Sequence, residues 1–345
     1  MRMERIRHGT NAAAAVLAAV IILACPGHLG AQSVIKLTTL VPDGSIWHRI
    51  LIEQATEVRR SAGGAVEIRI YPGGVAGDDP DLVRKMRIGQ FHAAALSLQG
   101  LTEIDEAFRV FQIPSFFESP EESFHVLDEL TPLLRQRLDE KGFVLINWGY
   151  GGWAHLYSKR PLRSAAELRA RKMFMWGGEE RSIRIWRANG LQPLGLASTD
   201  IMMALQTGMI EVLTTTPLAA LSLQWFRLVP YQLDPGFAPL IGATVMTKRA
   251  WNALPANARD GFIRSGRVAE TRFRREIPVH EERAIAAMVE RGLQRTSIDA
   301  QARREWDVLV DGIAAGTRGE LVPADVYDQA VRSRARYRAS SRTAQ

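Results

Sequence analysis

Residues 65–98, AVEIRIYPGGVAGDDPDLVRKMRIGQFHAAALSL, predict a strand, a helix and a second strand in direct succession. Apolar and polar residues alternate over 65–71, which is typical of a half-buried strand, and the glycine-rich loop that follows leads into a helix with an aspartate-rich first turn. An alternating strand at 34–40 and an amphipathic helix at 46–64 precede this stretch. The resulting β-α-β-α-β order implies a parallel sheet covered by helices.

A second alternation of strands and helices follows at 154–240. An apolar strand over 238–251 is placed to return to the first sheet, and the rest of the chain is helical, although Pro278 is expected to kink or break it. The predicted fold class is α/β, with two lobes that are each a β-sheet flanked by helices and a ligand cleft between them. We predict a first lobe formed by 32–153 and 241–335, and a second lobe formed by 154–240.

The first 31 residues have the features of a secretory signal peptide. A basic head precedes an apolar run at 12–24 that is short for a membrane span, and small residues at 29–31 provide a cleavage site. We expect this segment to be removed and the mature protein to be periplasmic; an uncleaved anchor is the alternative. Cys25 is the single cysteine, and its surroundings match a lipid-attachment box only in part, so a lipoprotein is a second alternative. The mature chain then has no thiol for disulfides, metal sites or nucleophilic catalysis.

The basic charge is concentrated at the two ends of the chain. The formal net charge is +7, to which the first 31 residues contribute +2 and the five arginines from Arg332 onward contribute +5. The body between these ends is close to neutral, which argues against a face that binds nucleic acid. We expect the basic tail over 336–345 to be disordered.

No motif for catalysis, cofactor binding or metal binding is recognisable in the sequence. The seven histidines lack metal-ligand spacing, and neither a nucleophile elbow nor a P-loop is present. Paired acids at 78–79, 179–180 and 281–282 lie at predicted helix starts or surfaces, where solvation or capping explains them. We therefore predict a binding protein without cofactor or metal; an exported enzyme with an unfamiliar catalytic site is the alternative.

Four blocks of sequence fall in the order and spacing of a known family. They are GDDPDLVRKMRIGQFHAAALS at 77–97, SKRPLRSAAELRARKMFM at 158–175, LASTDIMMALQTGMIEVLTTTP at 196–217 and TKRAWNALPANARDGF at 247–262. The chain resembles, over 34–311, the DctP-like extracytoplasmic solute-binding proteins of the tripartite ATP-independent periplasmic (TRAP) transporters, and ALQTGMIE is the most specific match. The resemblance implies a two-lobed periplasmic-binding-protein-like fold that captures a small organic ligand and delivers it to integral membrane permease subunits.

The chain departs from this family where relatives hold an anion. Relatives usually have an arginine, which clamps a substrate carboxylate, where this chain has Phe174. A second arginine is often found at the position of Trp153, and Thr215 replaces a usual asparagine. Because an ionised carboxylate is costly to bury without a cationic partner, we expect a ligand with apolar or planar surface rather than a simple dicarboxylate.

Eight residues are candidates for contact with this ligand. Two of them are the aromatics of RKMFMWGG at 171–178, which share one face of a predicted strand. The full set is Ser45, Trp47, Tyr150, Trp153, Phe174, Trp176, Thr215 and Trp225. Core packing is the alternative for the aromatic members, and helix capping is the alternative for Ser45. An anion site built from Arg181, Arg184 or the helix start near Glu179 is a further alternative.

Two functions in transport and binding remain open from the sequence. One is a receptor that serves a TRAP permease, and the other is a permease-independent periplasmic carrier or sensor of an apolar ligand. The replaced arginines make the second function more credible than in a typical relative. No sequence feature separates the two, and nucleic acid is an expected partner of neither.

Overall fold

The computed structural model describes residues 33–234 and 236–343. The predicted signal segment 1–31 with Cys25 lies outside the described residues, and so does Pro235. The strands within them are β1 (Ser33–Thr39), β2 (Val66–Tyr71), β3 (Ala93–Ser97), β4 (Phe143–Ser158), β5 (Lys172–Trp176), β6 (Gln192–Leu196), β7 (Val212–Thr215), β8 (Tyr231–Asp234), β9 (Ala238–Thr247) and β10 (Gln294–Ser297).

Helices separate and follow these strands. The described α-helices are α1 (Ile46–Ser61), α2 (Asp79–Arg87), α3 (Leu98–Ile104), α4 (Pro120–Glu140), α5 (Ala165–Arg169), α6 (Glu180–Ala188), α7 (Ile201–Thr207), α8 (Pro217–Ser222), α9 (Lys248–Ala253), α10 (Ala256–Val289), α11 (Ala300–Ala315) and α12 (Ala324–Thr343). Short 3-10 helices cover Glu106–Gln112, Ser198–Asp200 and Trp225–Arg227.

The strands form a mixed sheet in two halves that meet at β4. In the first half, β1 lies between β2 and β3 with parallel pairing, as the β-α-β-α-β pattern predicts. Strand β9 pairs antiparallel with both β3 and β4. In the second half, β5 pairs in parallel with β6 and β7, and β7 pairs antiparallel with β4. Helices pack against both halves, so the predicted α/β class is confirmed.

Strand β4 belongs to both halves of the sheet and therefore fixes how they are joined. Its residues 143–154 pair with β9, and its residues 155–158 pair with β7. The register shifts between Tyr150 and Gly152, where Gly152 adopts a φ of +120°. Only glycine fits this position, because that φ disfavours other residues and a Cβ would lie 2.0 Å from Oε1 of Glu281.

The carboxylate of Glu281 is buried against this crossing. Its two oxygens accept hydrogen bonds from the backbone N–H of Trp153, at 3.1 and 3.0 Å. Glu281 lies one turn beyond Pro278 in α10, a helix that continues through the proline instead of breaking there. Since α10 packs along β4 and α1, tertiary contacts outweigh the backbone hydrogen bond that proline removes.

Three clusters of buried apolar residues form the core. The largest surrounds Phe108 and Phe143 in the first half and extends to the helices beyond it. A second cluster holds Tyr157, Phe174 and Phe226 beneath the strands of the second half. A third cluster lies where α1 and α10 cover the first half. The largest cluster also includes residues of β5 and β7, so a continuous apolar core joins the two halves, and the second half has an additional cluster of its own.

The basic tail is helical as far as residue 343, as part of α12. Arg336 forms an ion pair with Glu129, and Arg338 forms one with Glu122, both acids being on α4. The expectation of a disordered tail over 336–345 is therefore wrong for the part of the tail that the structure describes. The reason is that acids far away in sequence supply the counter-charges, which the composition of the tail alone does not reveal.

We expect Glu281→Gln to reduce the pH dependence of stability. Burial raises the pKa of Glu281 to about 8, so between the ordinary carboxyl range and that value the folded state binds more protons than the unfolded state. Stability therefore falls as the pH rises through this window. The variant amide still accepts from Trp153, so its stability relative to the wild type should improve by at least about 1 kcal/mol from about pH 5 to about pH 8.

Urea unfolding of both proteins at the two pH values measures this difference. Glu282→Gln is the matched control, because it changes the same chemistry at the exposed neighbouring position. The Glu281 variant should keep some pH dependence of its stability. Burial also raises the pKa of Asp79 to about 7, and this shift likewise makes stability fall as the pH rises. Equal pH dependence in the Glu281 variant and the wild type would contradict the expected role of this carboxylate.

Candidate functional site

A cavity of about 620 Å³ lies between the two halves of the sheet. Its walls come from strand ends and loops of both halves, including the loop at 39–42 and strand β5. This volume falls within the range of small-molecule sites, which are often formed between domains. The cavity is therefore the candidate ligand site.

The two aromatics of β5 form part of the cavity wall. The rings of Phe174 and Trp176 pack edge to face, with centroids 5.3 Å apart and an interplanar angle of 72°. Phe174 is buried and also belongs to the second apolar cluster. Lining the cavity and packing in the core are therefore not exclusive roles for this side chain.

Four other candidates from the sequence line the same cavity. These are Trp47, Tyr150, Thr215 and Trp225. Trp47 donates an indole hydrogen bond to the carbonyl oxygen of Tyr150 at 3.3 Å, which holds the start of α1 against β4. The Tyr150 hydroxyl has no hydrogen-bond partner among the described residues, and burial raises its pKa, so it stays neutral at physiological pH.

Trp153 and Ser45 do not line the cavity. The Trp153 ring packs close to the backbone of Gly236, where an added Cβ would lie 1.8 Å from Cδ1 of the indole. The prediction for Trp153 rests on the position of a family arginine, and in this chain the strand has a register shift just before Gly152, next to this residue. Ser45 instead caps α1, since its hydroxyl accepts a hydrogen bond from the backbone N–H of His48 at 3.2 Å.

The cavity lining contains two charged residues, and they pair with each other. A guanidinium N–H of Arg109 donates to the carboxylate of Glu179. The same carboxylate oxygen accepts a hydrogen bond from the hydroxyl of Ser182 at 2.9 Å. Both side chains are largely buried, with 11% of Arg109 and 3% of Glu179 exposed. The lining therefore carries no unpaired charge among the described residues.

Of the alternative anion sites from the sequence, the helix start near Glu179 borders the cavity but carries the Glu179 carboxylate, whereas the two arginines lie elsewhere. Arg181 does not line the cavity and instead pairs with Glu106 and donates to the carbonyl oxygen of Glu320 at 2.9 Å. Arg184 is exposed on α6. Sequence reasoning did not find Arg109, although a single arginine within the apolar run AFRVF is a signal for a buried charge pair.

A polar clasp joins the two halves at the edge of the cavity. The carboxylate of Asp78, immediately before α2, accepts hydrogen bonds from the backbone N–H and the hydroxyl of Ser198, at 2.8 and 2.6 Å. Ser198 lines the cavity and follows β6 in the second half. Both oxygens of the carboxylate are used, so the clasp is a two-point polar contact between the halves.

Neither a metal site nor a membrane span is found in the part of the chain that the structure describes. No group of three or more His, Cys, Asp or Glu residues within 33–234 and 236–343 is arranged to hold a metal ion. None of the described helices is long and apolar enough to cross a membrane.

Comparison with known proteins gives one family and one fold. The model of "Bacterial extracellular solute-binding protein, family 7" (DctP) matches residues 37–315. The C4-dicarboxylate-binding periplasmic protein DctP of Rhodobacter capsulatus is 23% identical over 72% of this chain and 75% of its own length. YiiZ of Salmonella typhimurium is 23% identical over 45% of this chain, so the chain spans about half the length of that relative (48%).

A solved structure confirms the two-lobed architecture. DctP7 of Bordetella pertussis, an extracytoplasmic solute receptor that binds pyroglutamic acid, superimposes with a TM-score of 0.80. The superposition covers 88% of this chain and 99% of DctP7, at 22% sequence identity. At this identity the structural similarity establishes the fold alone. The class of ligand has to be inferred from the residues that line the cavity.

We expect Ser198→Ala to loosen the clasp and open the two halves in the absence of ligand. The variant loses the hydroxyl hydrogen bond to Asp78, and hydrogen bonds to charged groups contribute about 1.5–3 kcal/mol. Small-angle scattering should show a larger mean radius of gyration than in the wild type. Ser340→Ala is the control, because that hydroxyl is exposed and bonds within its own helix. Identical scattering curves for wild type and Ser198→Ala would exclude the clasp as a determinant of closure.

Proposed function

The chain belongs to the bacterial extracellular solute-binding protein family 7, and from this premise we propose that it captures a small organic ligand in the aromatic-lined cavity between its lobes. The family and its solved relatives are solute receptors and not enzymes. We propose further that the loaded protein delivers its ligand to integral membrane permease subunits of a TRAP transporter. The observation that carries the proposal is the large cavity between the lobes, with six of the eight candidate residues in its lining.

The composition of the cavity wall supports a ligand with apolar or planar surface. Two aromatic walls contribute on the order of 2–5 kcal/mol by covering apolar ligand surface, at about 25 cal/mol per Å². A carboxylate ligand lacks a free cationic partner among the described lining residues, since Arg109 is paired with Glu179. The relatives from Rhodobacter capsulatus and Bordetella pertussis are named for acidic ligands. We propose that this chain differs from them in ligand class.

The location and division of the chain follow from the same proposal. Residues 1–31 act as a signal peptide, so that the mature protein works in the periplasm, as relatives named periplasmic do. Residues 32–153 and 241–335 form the first lobe, and residues 154–240 form the second. Lipid attachment at Cys25 remains the alternative to cleavage near residue 31.

A permease-independent carrier or sensor is the second candidate function. The paired state of Arg109 and the aromatic wall favour it, because an apolar ligand needs protection from water during transfer between membranes. Co-purification of the protein with one small and one large membrane subunit would favour the role in a TRAP transporter over the permease-independent role. The ligand itself is identified by native mass spectrometry of protein purified from the periplasm without refolding.

We expect simple C4-dicarboxylates to bind more weakly than about 100 μM, which corresponds to about −5.5 kcal/mol. The physical reason is the uncompensated cost of burying two carboxylates in a cavity whose one arginine is already paired. Calorimetry at low salt with succinate and malate measures the affinity. A micromolar dissociation constant for either compound would show that the cavity holds anions after all.

We expect Phe174→Ala to weaken binding of the co-purified ligand by about 1–3 kcal/mol, because the variant removes the apolar surface of one aromatic ring from the wall. Stability should fall by less than the about 3–5 kcal/mol typical of a fully enclosed phenylalanine, because one side of the ring lines the cavity. Thermal melting and ligand titration measure the two effects. Phe226→Ala is the matched control, since Phe226 belongs to the same cluster and does not line the cavity.

Phe174→Arg separates the two roles of this position further. We expect the variant to fold, because the long side chain can extend its charged end into the cavity. It should also bind carboxylate ligands better than the wild type does. A Phe174→Arg protein that fails to fold, together with a Phe174→Ala protein as unstable as Phe226→Ala, would assign Phe174 to the core alone.

A further inference from the structure

The ion pair of the cavity connects one lobe with the other. Arg109 lies in the 3-10 helix Glu106–Gln112 of the first lobe, whereas Glu179 lies between β5 and α6 of the second. Glu179 follows directly on the aromatic wall, since its backbone N–H donates to the carbonyl oxygen of Trp176 at 3.3 Å. The carboxylate is therefore placed by the same turn that positions the Trp176 side chain.

The Glu179 side chain is held in place by burial and by hydrogen bonds. It is 4% exposed, and the hydroxyl of Ser182 donates to the oxygen that also contacts Arg109. An incoming ligand carboxylate would have to displace this internal one, and it would leave Glu179 buried without a cation. Breaking a buried pair in this way is strongly unfavourable, because the remaining charge keeps its desolvation cost.

The pair still has hydrogen-bonding capacity that no described residue uses. Nε of Arg109 is a buried donor without a partner, and Oε1 of Glu179 is a buried acceptor without a partner. Buried polar groups are normally satisfied, so each of these atoms needs an explanation. A neutral group that accepts one hydrogen bond and donates another, as a carboxamide does, would satisfy both after a small shift of the pair.

We propose that Glu179 is the specificity-determining residue of the cavity: by occupying Arg109 it excludes anions and selects uncharged ligands that carry a carboxamide-like donor and acceptor on an apolar body. This inference rests on the proposed function, because it assumes that the ligand binds in the aromatic-lined cavity. In this proposal the Arg109–Glu179 pair determines whether a charged or an uncharged ligand binds. The aromatic wall supplies the affinity for the apolar part of the ligand.

The test uses two probes that differ only in the group under selection. 1-Naphthaleneacetamide and 1-naphthaleneacetate compete against the uncharged fluorescent reporter N-phenyl-1-naphthylamine on the full mature protein. We expect the wild type to prefer the amide by about tenfold or more, which corresponds to about 1.4 kcal/mol. Glu179→Gln frees Arg109 and should reverse this preference in favour of the carboxylate.

A double variant and a matched control test whether the change in ligand preference depends on Arg109. Arg109→Gln combined with Glu179→Gln should lose the gain in carboxylate binding, because the freed cation is then absent. Glu106→Gln should keep the wild-type preference, since it removes the same charge from the other inter-lobe pair, with Arg181, which does not line the cavity. If Glu179→Gln does not fold, Arg109→Gln replaces it and should favour the cation of 1-naphthylmethylamine.

The outcomes separate this inference from the proposed function. A reporter that is not bound by the wild type would overturn the apolar cavity and this inference with it. A reporter that is bound, together with a wild-type preference for the carboxylate, would overturn only the selection by Glu179. The same holds if Glu179→Gln leaves the amide-to-carboxylate ratio unchanged, or if Glu106→Gln shifts that ratio as strongly.

Discussion

The passage of strand β4 from one half of the sheet to the other is the constraint on which the rest of the structure depends. The strand changes partners after residue 154, and the change is prepared by the register shift at Gly152. At the same point the buried carboxylate of Glu281 accepts both of its hydrogen bonds from the Trp153 N–H, so helix α10 holds the crossing in place. The cavity exists because this crossing sets the two sheets apart while their strand ends face each other.

Charge placement around the cavity follows a single physical rule. Two ion pairs beside the cavity cross the lobe boundary, Arg109 with Glu179 and Arg181 with Glu106. For the buried pair of Arg109 and Glu179, the mutual attraction offsets the cost of removing both charges from water. The pairing has two consequences, since it draws the lobes together and leaves the cavity wall electrically neutral. The same contacts therefore underlie the proposed closure of the lobes and the proposed selectivity against ions.

Local sequence patterns were sufficient for the fold and for much of the cavity wall. Strand alternation and helix caps reveal β1 to β3, and the same-face spacing of Phe174 and Trp176 places both rings correctly beside the cavity. Trp153 is predicted to line the cavity but does not, and a register shift lies directly before it in the strand. The Arg109–Glu179 pair joins residues 70 positions apart, and no single-sequence periodicity encodes a contact between such distant segments.

The double role of Phe174 explains how such a cavity can change its ligand without changing its fold. Its ring packs with Tyr157 and Phe226 in the second cluster while another part of it borders the cavity. The ring at this position therefore adds apolar contact both to the core of the second half and to the cavity wall. Under the proposed function, the ring provides apolar contact in the cavity wall where the family resemblance implies a cation for an anionic ligand. Under the proposed function, the neighbouring carboxylate of Glu179 neutralises Arg109 at the lobe boundary, and this pairing would favour the same uncharged class of ligand as the aromatic wall.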